Sequence, residues 1–185
     1  MEYPFYATFS SPFESFTIVW IRRGSELKVQ RIFLSDAKLN SEVKALESFK
    51  HLKSNSSSLI TSLGEKIQQF IKGETVEFDL ELVDFNRCLE VQKRVLLAEY
   101  GIPRGYISTY KRIATHIGIN NGARVVGNAL ARNPFPIVIP CHRAIKTNGE
   151  LGGYQGGIKM KRRLLEMEGL EISKRGKVIT NRFYY

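Results

Sequence analysis

The spacing of apolar residues changes along this chain. Between residues 16 and 34 two β-rich runs flank the tetrapeptide RRGS, and the second run alternates Leu27 and Val29 with Glu26 and Lys28. A period of two residues is typical of a strand with one face buried. Two such runs around a short polar turn predict a β-hairpin.

Helical spacing follows the hairpin. The segment SEVKALESFKHL (41–52) predicts a helix, and the polar run KSNSSS (53–58) predicts a loop. Residues 58–73 carry apolar side chains at helical spacing and reach Gly73, which predicts a second helix that stops there. The acidic segment 74–85 is predicted to be extended.

The next segment predicts a buried helix over residues 86–100. Its apolar positions are Cys88, Leu89, Val91, Val95, Leu96 and Tyr100. Cys88 lies on this stripe, so we expect it to be a small apolar residue of the core rather than a reactive group.

Residues 108–134 predict two short helices around a turn rich in glycine and asparagine. Ser108 is expected to cap the first helix, and Gly118 to end it. The second starts at Asn120 or Asn121 and stops before Pro134. Two short helices with basic outer faces are typical of a helix-turn-helix, whose second helix commonly binds DNA, although many helical hairpins bind nothing.

The second of these helices has an unusually small surface, formed by Ala123, Gly127, Asn128, Ala129 and Ala131. A glycine inside a helix costs about 1 kcal/mol relative to alanine. Small side chains allow a partner to approach the backbone closely, and they equally allow a neighbouring helix to do so. Both interpretations stay open on composition alone.

Charge is distributed unequally along the chain. Residues 1–85 hold 10 Lys and Arg against 12 Asp and Glu, a net of −2, whereas residues 86–185 hold 18 against 6, a net of +12. A basic excess confined to one half favours a polyanionic partner. With the change of composition, it predicts two domains, at residues 1–80 and 81–185.

The composition also argues against several classes of protein. No apolar run approaches the ~20 residues of a membrane span, and no secretory signal is recognisable, which predicts an intracellular protein. Cys88 and Cys141 are the only cysteines, so a disulfide framework is not expected. Three histidines without metal-type spacing predict no zinc site.

The run NPFPIVIPCHR places Cys141 behind three prolines, which stiffen the backbone before it. A thiol attacks as the thiolate, and its ordinary pKa of about 8.5 means that it needs a base. His142 is adjacent, but neighbours on an extended strand point to opposite faces. Contact between them therefore requires a turn at Cys141 or a bridging water.

A third group would have to orient the imidazole of His142. Glu168 is the candidate, because it continues the helical stripe formed by Lys161, Leu164 and Leu165, and a solvated glutamate near a helix end is the alternative. Residues 146–157 hold five glycines around Tyr154, which predicts either a plain surface turn or a loop that forms a wall of a substrate pocket.

These segments together resemble the O6-alkylguanine-DNA alkyltransferases, also called methylated-DNA–protein-cysteine methyltransferases. The run IVIPCHRAI is similar to the active-site signature of that family. GYISTYKRIA and GARVVGNALARNPFP are similar to its two DNA-binding helices and asparagine hinge, and GGYQGGIKMKRRLLEMEG to its active-site loop and following helix. The resemblance is continuous over residues 85–170 and is only general over residues 1–80.

The resemblance implies a role for each unusual residue. Cys141 is the alkyl acceptor, His142 the base acting through a water, and Glu168 the carboxylate that polarises it. Asn133 braces the active-site segment, and Tyr110 contacts the guanine and assists its departure. On the same basis the DNA-binding residues are Arg124 as an arginine finger, Ala123, Gly127, Ala129, Leu130 and Arg132, and the substrate pocket is lined by Tyr154, Gln155, Pro136 and Arg143.

The family also implies a fold and a reaction. The fold is α+β in two domains, with a small ribonuclease H-like N-terminal domain and a mainly helical, winged-helix-like C-terminal domain. The reaction transfers the alkyl group of O6-alkylguanine, and of O4-alkylthymine, irreversibly to the cysteine after the nucleotide is flipped. It needs no cofactor or metal, and its partner is double-stranded DNA rather than a membrane. We expect a monomer, with cooperative binding to DNA left open, in the cytoplasm at the nucleoid or in a nucleus.

Two departures from the family pattern stand out. Ala144 follows Arg143 where valine is more frequent, and Gln155 follows Tyr154 where many members have serine, so the range of alkyl groups is open. Three other functions remain in competition. They are a thiol hydrolase using Cys141 and His142, a non-catalytic protein that binds alkylated DNA, and a helix-turn-helix regulator.

Overall fold

The computed structural model describes residues 3–185, and these form a mixed α/β chain. In chain order the strands and helices are β1 (Phe5–Ser11), β2 (Glu14–Arg23), β3 (Glu26–Leu34), α1 (Ser41–Ser48), β4 (Lys53–Ser54), α2 (Ser58–Ile71), α3 (Glu90–Tyr100), β5 (Ser108–Thr109), α4 (Tyr110–His116), α5 (Ala123–Ala131), β6 (Ala144–Ile145), α6 (Gly157–Met167), β7 (Glu171–Ile172) and β8 (Val178–Ile179). Short 3₁₀ helices lie at Leu80–Leu82, Phe85–Arg87 and Cys141–Arg143.

The chain divides into two compact units. The sheet unit comprises the described residues up to Arg87 together with Pro134–Val138, and the helical unit comprises Cys88–Asn133 and Ile139–Tyr185. The short segment Pro134–Val138 therefore returns to the sheet unit, where the backbone N–H of Ile32 donates to the carbonyl of Pro134 at 2.7 Å.

The sheet unit is built on a four-stranded sheet of order β3-β2-β1-β4. The predicted hairpin is present, with β2 and β3 antiparallel, and β1 and β4 are strands that the sequence pattern did not predict. The alternation expected for β3 is weak, because most of its residues are buried and include Gln30.

The helices of the sheet unit follow the pattern closely. Helix α2 begins at Ser58 as predicted, and the Ser57 hydroxyl caps it by accepting from the N–H of Ile60. Helix α1 ends at Ser48, before the predicted residue 52. Residues 74–85, predicted as extended, contain the 3₁₀ helix Leu80–Leu82.

The prediction for residues 86–100 was wrong at its start. Helix α3 begins at Glu90, so Cys88 precedes it and is only half-buried. Val95 and Leu96 are buried as predicted, whereas Leu89 is 78% exposed and Val91 and Tyr100 are also exposed. The buried face of α3 includes Ala98 and the charged residue Glu99, which apolar patterning did not indicate.

Helices α4 and α5 form the predicted pair, with different caps. Thr109 caps α4, its hydroxyl accepting from the N–H of Arg112 at 3.1 Å, whereas Ser108 lies in β5. Gly118 follows α4 with a φ of +72°, as expected for a residue that ends a helix. Helix α5 begins at Ala123, after both asparagines proposed as its start.

Candidate active site

In the helical unit, two short parallel strands adjoin the segments that carry Tyr110 and Cys141. Strand β5 pairs with β6, Ser108 opposite Ala144 and Thr109 opposite Ile145. Helix α4 begins directly after β5, and the 3₁₀ turn Cys141–Arg143 ends directly before β6. Because the strands are parallel, α4 leaves this pair at one end and the 3₁₀ turn enters it at the other, and the side chains of Tyr110 and Cys141 line one cavity. The turn also replaces the extended backbone that would have pointed Cys141 and His142 to opposite faces.

Cys141 lies at a small cavity of about 50 Å³. The cavity is lined by Tyr110, Gly127, Leu130, Ala131, Cys141, Gly153 and Tyr154. These residues come from α4, α5, the 3₁₀ turn and the glycine-rich loop, so four segments of one unit surround the thiol. Its walls combine small residues with two tyrosine rings, which suits a flat, partly apolar ligand.

Asn133 braces the segment that carries Cys141. Its side-chain amide donates to the carbonyl of Ile139 at 3.1 Å, and its side chain also hydrogen-bonds to the Cys141 thiol. Burial raises the pKa of Cys141 to about 12, and the hydrogen bond from Asn133 opposes that rise.

Glu168 receives three sets of hydrogen bonds. His142 Nε2 lies 2.9 Å from its Oε1, Arg143 Nη2 donates to Oε1 at 2.8 Å, and Arg143 Nε donates to Oε2 at 2.9 Å. The backbone N–H of Gly105 also donates to Oε2, at 3.3 Å. Burial raises the pKa of Glu168, but His142 and Arg143 outweigh it and lower the pKa to about 2. Glu168 is a buried carboxylate rather than a solvated surface residue.

His142 is fully buried, and its uncharged form is favoured. Burial lowers its pKa below the ordinary value, and the hydrogen bond to Glu168 opposes that shift. A neutral imidazole whose Nε2 donates to Glu168 carries its lone pair on Nδ1. Its ring also meets the Tyr154 ring edge to face, with centroids 6.3 Å apart.

Tyr110 lies against the glycine-rich loop at Gly152. A Cβ atom at Gly152 would overlap the Tyr110 hydroxyl, and Gly152 has a φ of +72° that side chains rarely adopt. Gly152 therefore allows the loop to pass over Tyr110. Burial, followed by Glu99 and Cys141, raises the pKa of Tyr110 to about 12, so its hydroxyl is a neutral donor.

Tyr154 holds a buried hydroxyl beside Cys141. Among residues 3–185 no hydrogen-bond partner reaches this hydroxyl. Burial raises the pKa of Tyr154 well above its ordinary value. An unsatisfied buried donor at a cavity wall is available to a bound ligand.

The residues expected to bind DNA divide into two groups. Arg124 and Arg132 are exposed, and Ala123 and Gly127 are half-buried on α5. Ala129 and Leu130, however, are buried, and Leu130 lines the cavity. Their assignment to the DNA-binding surface stays a prediction.

The residues expected to line a substrate pocket do not all lie at this cavity. Tyr154 lines the cavity, whereas Gln155, Pro136 and Arg143 are not among its lining residues within the described part of the chain, and the role of all four in a substrate pocket stays a prediction. Arg143 is turned toward Glu168 and donates to the carbonyl of Ile102 at 2.6 Å. Pro136 is buried and belongs to the sheet unit.

Two buried charged residues of this region were not assigned a function from the sequence. Glu99 and Lys161 are both fully buried, and Lys161 Nζ donates to the carbonyl of Ala144 at 2.6 Å. Glu99 lies at helical spacing from Val95 and Ile102, so a carboxylate on a buried stripe was the available signal.

None of the helices within residues 3–185 is long and apolar enough to span a membrane. Over the same residues, no group of three or more His, Cys, Asp and Glu side chains is arranged to hold a metal ion.

Comparison with known proteins places this arrangement in a family. A family model, the DNA-binding domain of 6-O-methylguanine DNA methyltransferase, matches residues 90–170. A methylated-DNA–protein-cysteine methyltransferase of Methanothermobacter thermautotrophicus is 50% identical over 113 residues, which are 61% of this chain and 63% of that protein. One from Saccharolobus islandicus is 39% identical over 121 residues, 64% of this chain and 76% of that protein.

A solved structure extends the likeness beyond the helical unit. The structure of Mycobacterium tuberculosis OGT in complex with DNA is 33% identical, has a TM-score of 0.71, and covers 89% of this chain and 93% of that chain. The chain belongs to the methylated-DNA–protein-cysteine methyltransferase family, which confirms the resemblance seen in its sequence. The match to the Methanothermobacter relative spans less than two thirds of that protein's length.

Proposed function

We propose that this protein repairs alkylated DNA by transferring the alkyl group of O6-alkylguanine to Cys141. The observation that carries the proposal is the cavity beside the buried Cys141. His142, in the same 3₁₀ turn as Cys141, is hydrogen-bonded to Glu168. The relatives named above are methyltransferases of this type, and one of them is described as bound to DNA. Family membership and this geometry support the same chemistry.

In the proposed reaction the Cys141 sulfur attacks the alkyl carbon of the modified guanine. The S–C bond forms as the C–O6 bond breaks, and the thiol proton passes through Nδ1 of His142 and a water to the departing guanine. The Tyr110 hydroxyl, a neutral donor, contacts the leaving base. A thioether has no easy leaving group, so each chain acts once.

Access to a base in a duplex requires that the nucleotide leave the stack, which costs a few kcal/mol. Arg124, exposed at the start of α5, is the side chain proposed to fill the resulting gap. The excess of positive charge in residues 86–185 would supply phosphate contacts without sequence preference.

We also propose a fold for each half of the chain. We assign residues 1–80 to a ribonuclease H-like domain and residues 81–185 to a winged-helix-like domain. We further propose that the protein is a monomer, that it also accepts the alkyl group of O4-alkylthymine, and that it acts in the cytoplasm or a nucleus.

The test uses duplex DNA that carries one O6-methylguanine with a radiolabelled methyl group. We expect label to appear on Cys141 with at most about one methyl per chain, because no step regenerates the thiol. Cys141→Ala should acquire none, and Cys88→Ser, the matched control at the other cysteine, should be labelled as the wild type is. Label on Cys88, or repeated turnover on an ester by Cys141, would contradict the proposal.

A further inference from the structure

Residues 182–185 pack against the segment that leads into helix α4. The N–H of Ile107, the residue before β5, donates to Arg182 O at 3.0 Å. The N–H of Tyr184 donates to Ile107 O at 2.8 Å, and Ile107 and Phe183 form a parallel bridge. The backbone of residues 182–185 is therefore tied to the part of the chain that enters α4.

The side chain of Tyr185 connects two helices. Its hydroxyl donates to Ala98 O, in the last turn of α3, at 2.8 Å. Its ring stacks on the imidazole of His116, the last residue of α4, with centroids 3.6 Å apart and 23° between the planes. A tyrosine can combine an apolar contact and a hydrogen bond in this way. Tyr185 thus joins the end of α3 to the end of α4.

Arg112 connects the first turn of α4 to the same segment. Its guanidinium lies over the Phe183 ring, 4.9 Å from the centroid, and its Nη1 donates to the backbone carbonyl of Tyr185. With His116 in the second turn, both turns of this seven-residue helix contact residues 182–185. A helix much shorter than about 12 residues depends on packing for its stability, so these contacts help to fix where α4 lies.

The fit of Tyr110, the first residue of α4, leaves little room for that helix to move. Its hydroxyl lies where a Cβ atom of Gly152 would be. A shift of α4 toward the glycine-rich loop would make the two overlap, and a shift away would withdraw Tyr110 from the cavity that it lines with Cys141. A displacement of about 1 Å at a reacting site can lower a rate about 100-fold.

We propose that Tyr185 is a positioning residue for methyl transfer, because it joins the ends of α3 and α4 and so holds the Tyr110 hydroxyl at the Cys141 cavity. Among the described residues Tyr185 is not part of the cavity lining, and it acts on the reaction only through Tyr110. The inference rests on the proposed function, since it concerns the hydroxyl that contacts the leaving base.

The experiment compares Tyr185→Leu with the wild type in single-turnover methyl transfer from duplex DNA that carries O6-methylguanine, over a range of protein concentrations. The change removes the ring stack and the hydroxyl but keeps the backbone pairing with Ile107. We expect the maximal rate to fall about tenfold and the half-saturating concentration to change by less than about twofold, because Tyr110 is displaced whereas α5 is not. An unchanged maximal rate, or a loss confined to the half-saturating concentration, would overturn the proposal.

A double-variant cycle shows whether Tyr185 acts through Tyr110. Tyr110→Phe removes the hydroxyl, so the further loss caused by Tyr185→Leu in that background should be less than about twofold. A general weakening of the structure does not depend on the Tyr110 hydroxyl. If Tyr185→Leu lowers the maximal rate by the same factor in both backgrounds, the positioning role is wrong.

The matched control is Tyr106→Leu, which removes a tyrosine ring that contacts Tyr184 rather than α4. Its maximal rate should equal that of the wild type, and a loss as large as that of Tyr185→Leu would contradict the assignment to Tyr185. A second variant, His116→Ala, protects the test against misfolding, because it removes the same ring stack at an exposed position. It should also lower the maximal rate, and a wild-type rate would count against the proposal.

NMR of ¹³C-labelled tyrosine rings tests the geometry without DNA. In Tyr185→Leu the ring resonances of Tyr110 should move, whereas those of Tyr6, in the sheet unit, should stay where they are in the wild type. Tyr110 resonances that do not move would show that Tyr185 does not hold α4. If the wild type transfers no methyl group, the proposed function fails, and these spectra still decide whether Tyr185 positions Tyr110.

Discussion

The sheet unit and the helical unit bury different kinds of polar group. In the sheet unit the hydroxyls of Ser15, Thr17, Ser35 and Ser41 hydrogen-bond to one another at 2.9–3.0 Å. These groups are neutral and satisfy each other. Among the described residues the sheet unit buries one charged side chain, Asp84, whereas the helical unit buries Glu99, Lys161, His142, Arg143 and Glu168. Several buried charges lower the stability of a unit unless they are paired. Their presence in the helical unit indicates that they serve a functional site.

Two helical glycines show the same contrast. A Cβ atom at Gly64 in α2 would overlap the ring of Phe9, so this glycine is required by the packing of the sheet unit itself. A Cβ atom at Gly127 in α5 would meet nothing within 4 Å. The packing interpretation that the sequence left open for the small residues of α5 is therefore not supported at Gly127. Its small size leaves room for something outside the protein.

We expect the largest loss of stability for Glu168→Gln in the helical unit. This change keeps the shape of the side chain but leaves Arg143 buried without its counter-charge. Breaking a buried ion pair on one side costs about 3–5 kcal/mol, and we expect a loss of that order in urea unfolding at pH 7. The pKa of Glu168 is lowered in the folded protein, so its stabilising effect is complete above 4.5, the ordinary pKa, and is lost as the pH falls through about 2. The difference in the free energy of unfolding between Glu168→Gln and the wild type should therefore shrink as the pH falls from 4.5 to about 2.

The control for this variant is Asp36→Asn in the sheet unit. Asp36 accepts from Lys44 at 2.7 Å, and its pKa is also lowered to about 2. Its side chain is 30% exposed, however, so solvent screens the pair and the loss should be much smaller. Equal losses for the two variants would show that burial adds nothing at Glu168.

A smaller loss is expected for Gly64→Ala. The added methyl group must displace the Phe9 ring, which stacks on Phe16 with centroids 5.3 Å apart. Overpacking of this kind costs about 1–3 kcal/mol, and alanine returns part of that through its helix propensity. We expect a net loss in denaturant unfolding and no change in DNA affinity.

A double variant decides whether Phe9 is the cause. Phe9→Leu shortens the side chain that the new methyl group meets, so Gly64→Ala should cost less in that background than in the wild type. If the cost is the same in both backgrounds, the overlap with Phe9 is not what the glycine avoids.

Much of the fold could be predicted from local patterns. The hairpin and helix α2 depend on apolar periodicity and a serine cap, which are written in contiguous residues. The strands β1 and β4 were missed because the residues of β1 are only half-buried or exposed and β4 has only two residues. Their pairing depends on contacts across the chain rather than on their own sequence.

The candidate site shows the same division. The Cys141 turn and the carboxylate of Glu168 were predicted as candidates from a motif and a helical stripe, and family resemblance supplied their roles. The direction of Arg143 and the burial of Glu99 were not predicted, because each depends on which neighbour fills the interior. A charged residue at a core position is an exception to apolar patterning, and only the packed structure shows that it faces inward.

The smallest change expected is the stabilisation of the free protein by Gly127→Ala. The position lies within α5 and has open space for a methyl group, so alanine should raise the free energy of unfolding by about 1 kcal/mol. If α5 is approached closely by DNA, the same methyl group should weaken binding to a duplex several-fold. Denaturant unfolding and fluorescence anisotropy with labelled duplex DNA measure the two effects separately.

The control for Gly127→Ala is Ser62→Ala, at an exposed position of α2 in the sheet unit. It should also stabilise the helix that carries it, by a few tenths of a kcal/mol, but leave DNA affinity unchanged. Opposite effects on stability and affinity at Gly127, with only the first at Ser62, would show that a glycine in α5 is kept at a cost to the fold. Unchanged DNA affinity in Gly127→Ala would remove that reason and leave the glycine without a structural explanation, since the free protein has room for the methyl group.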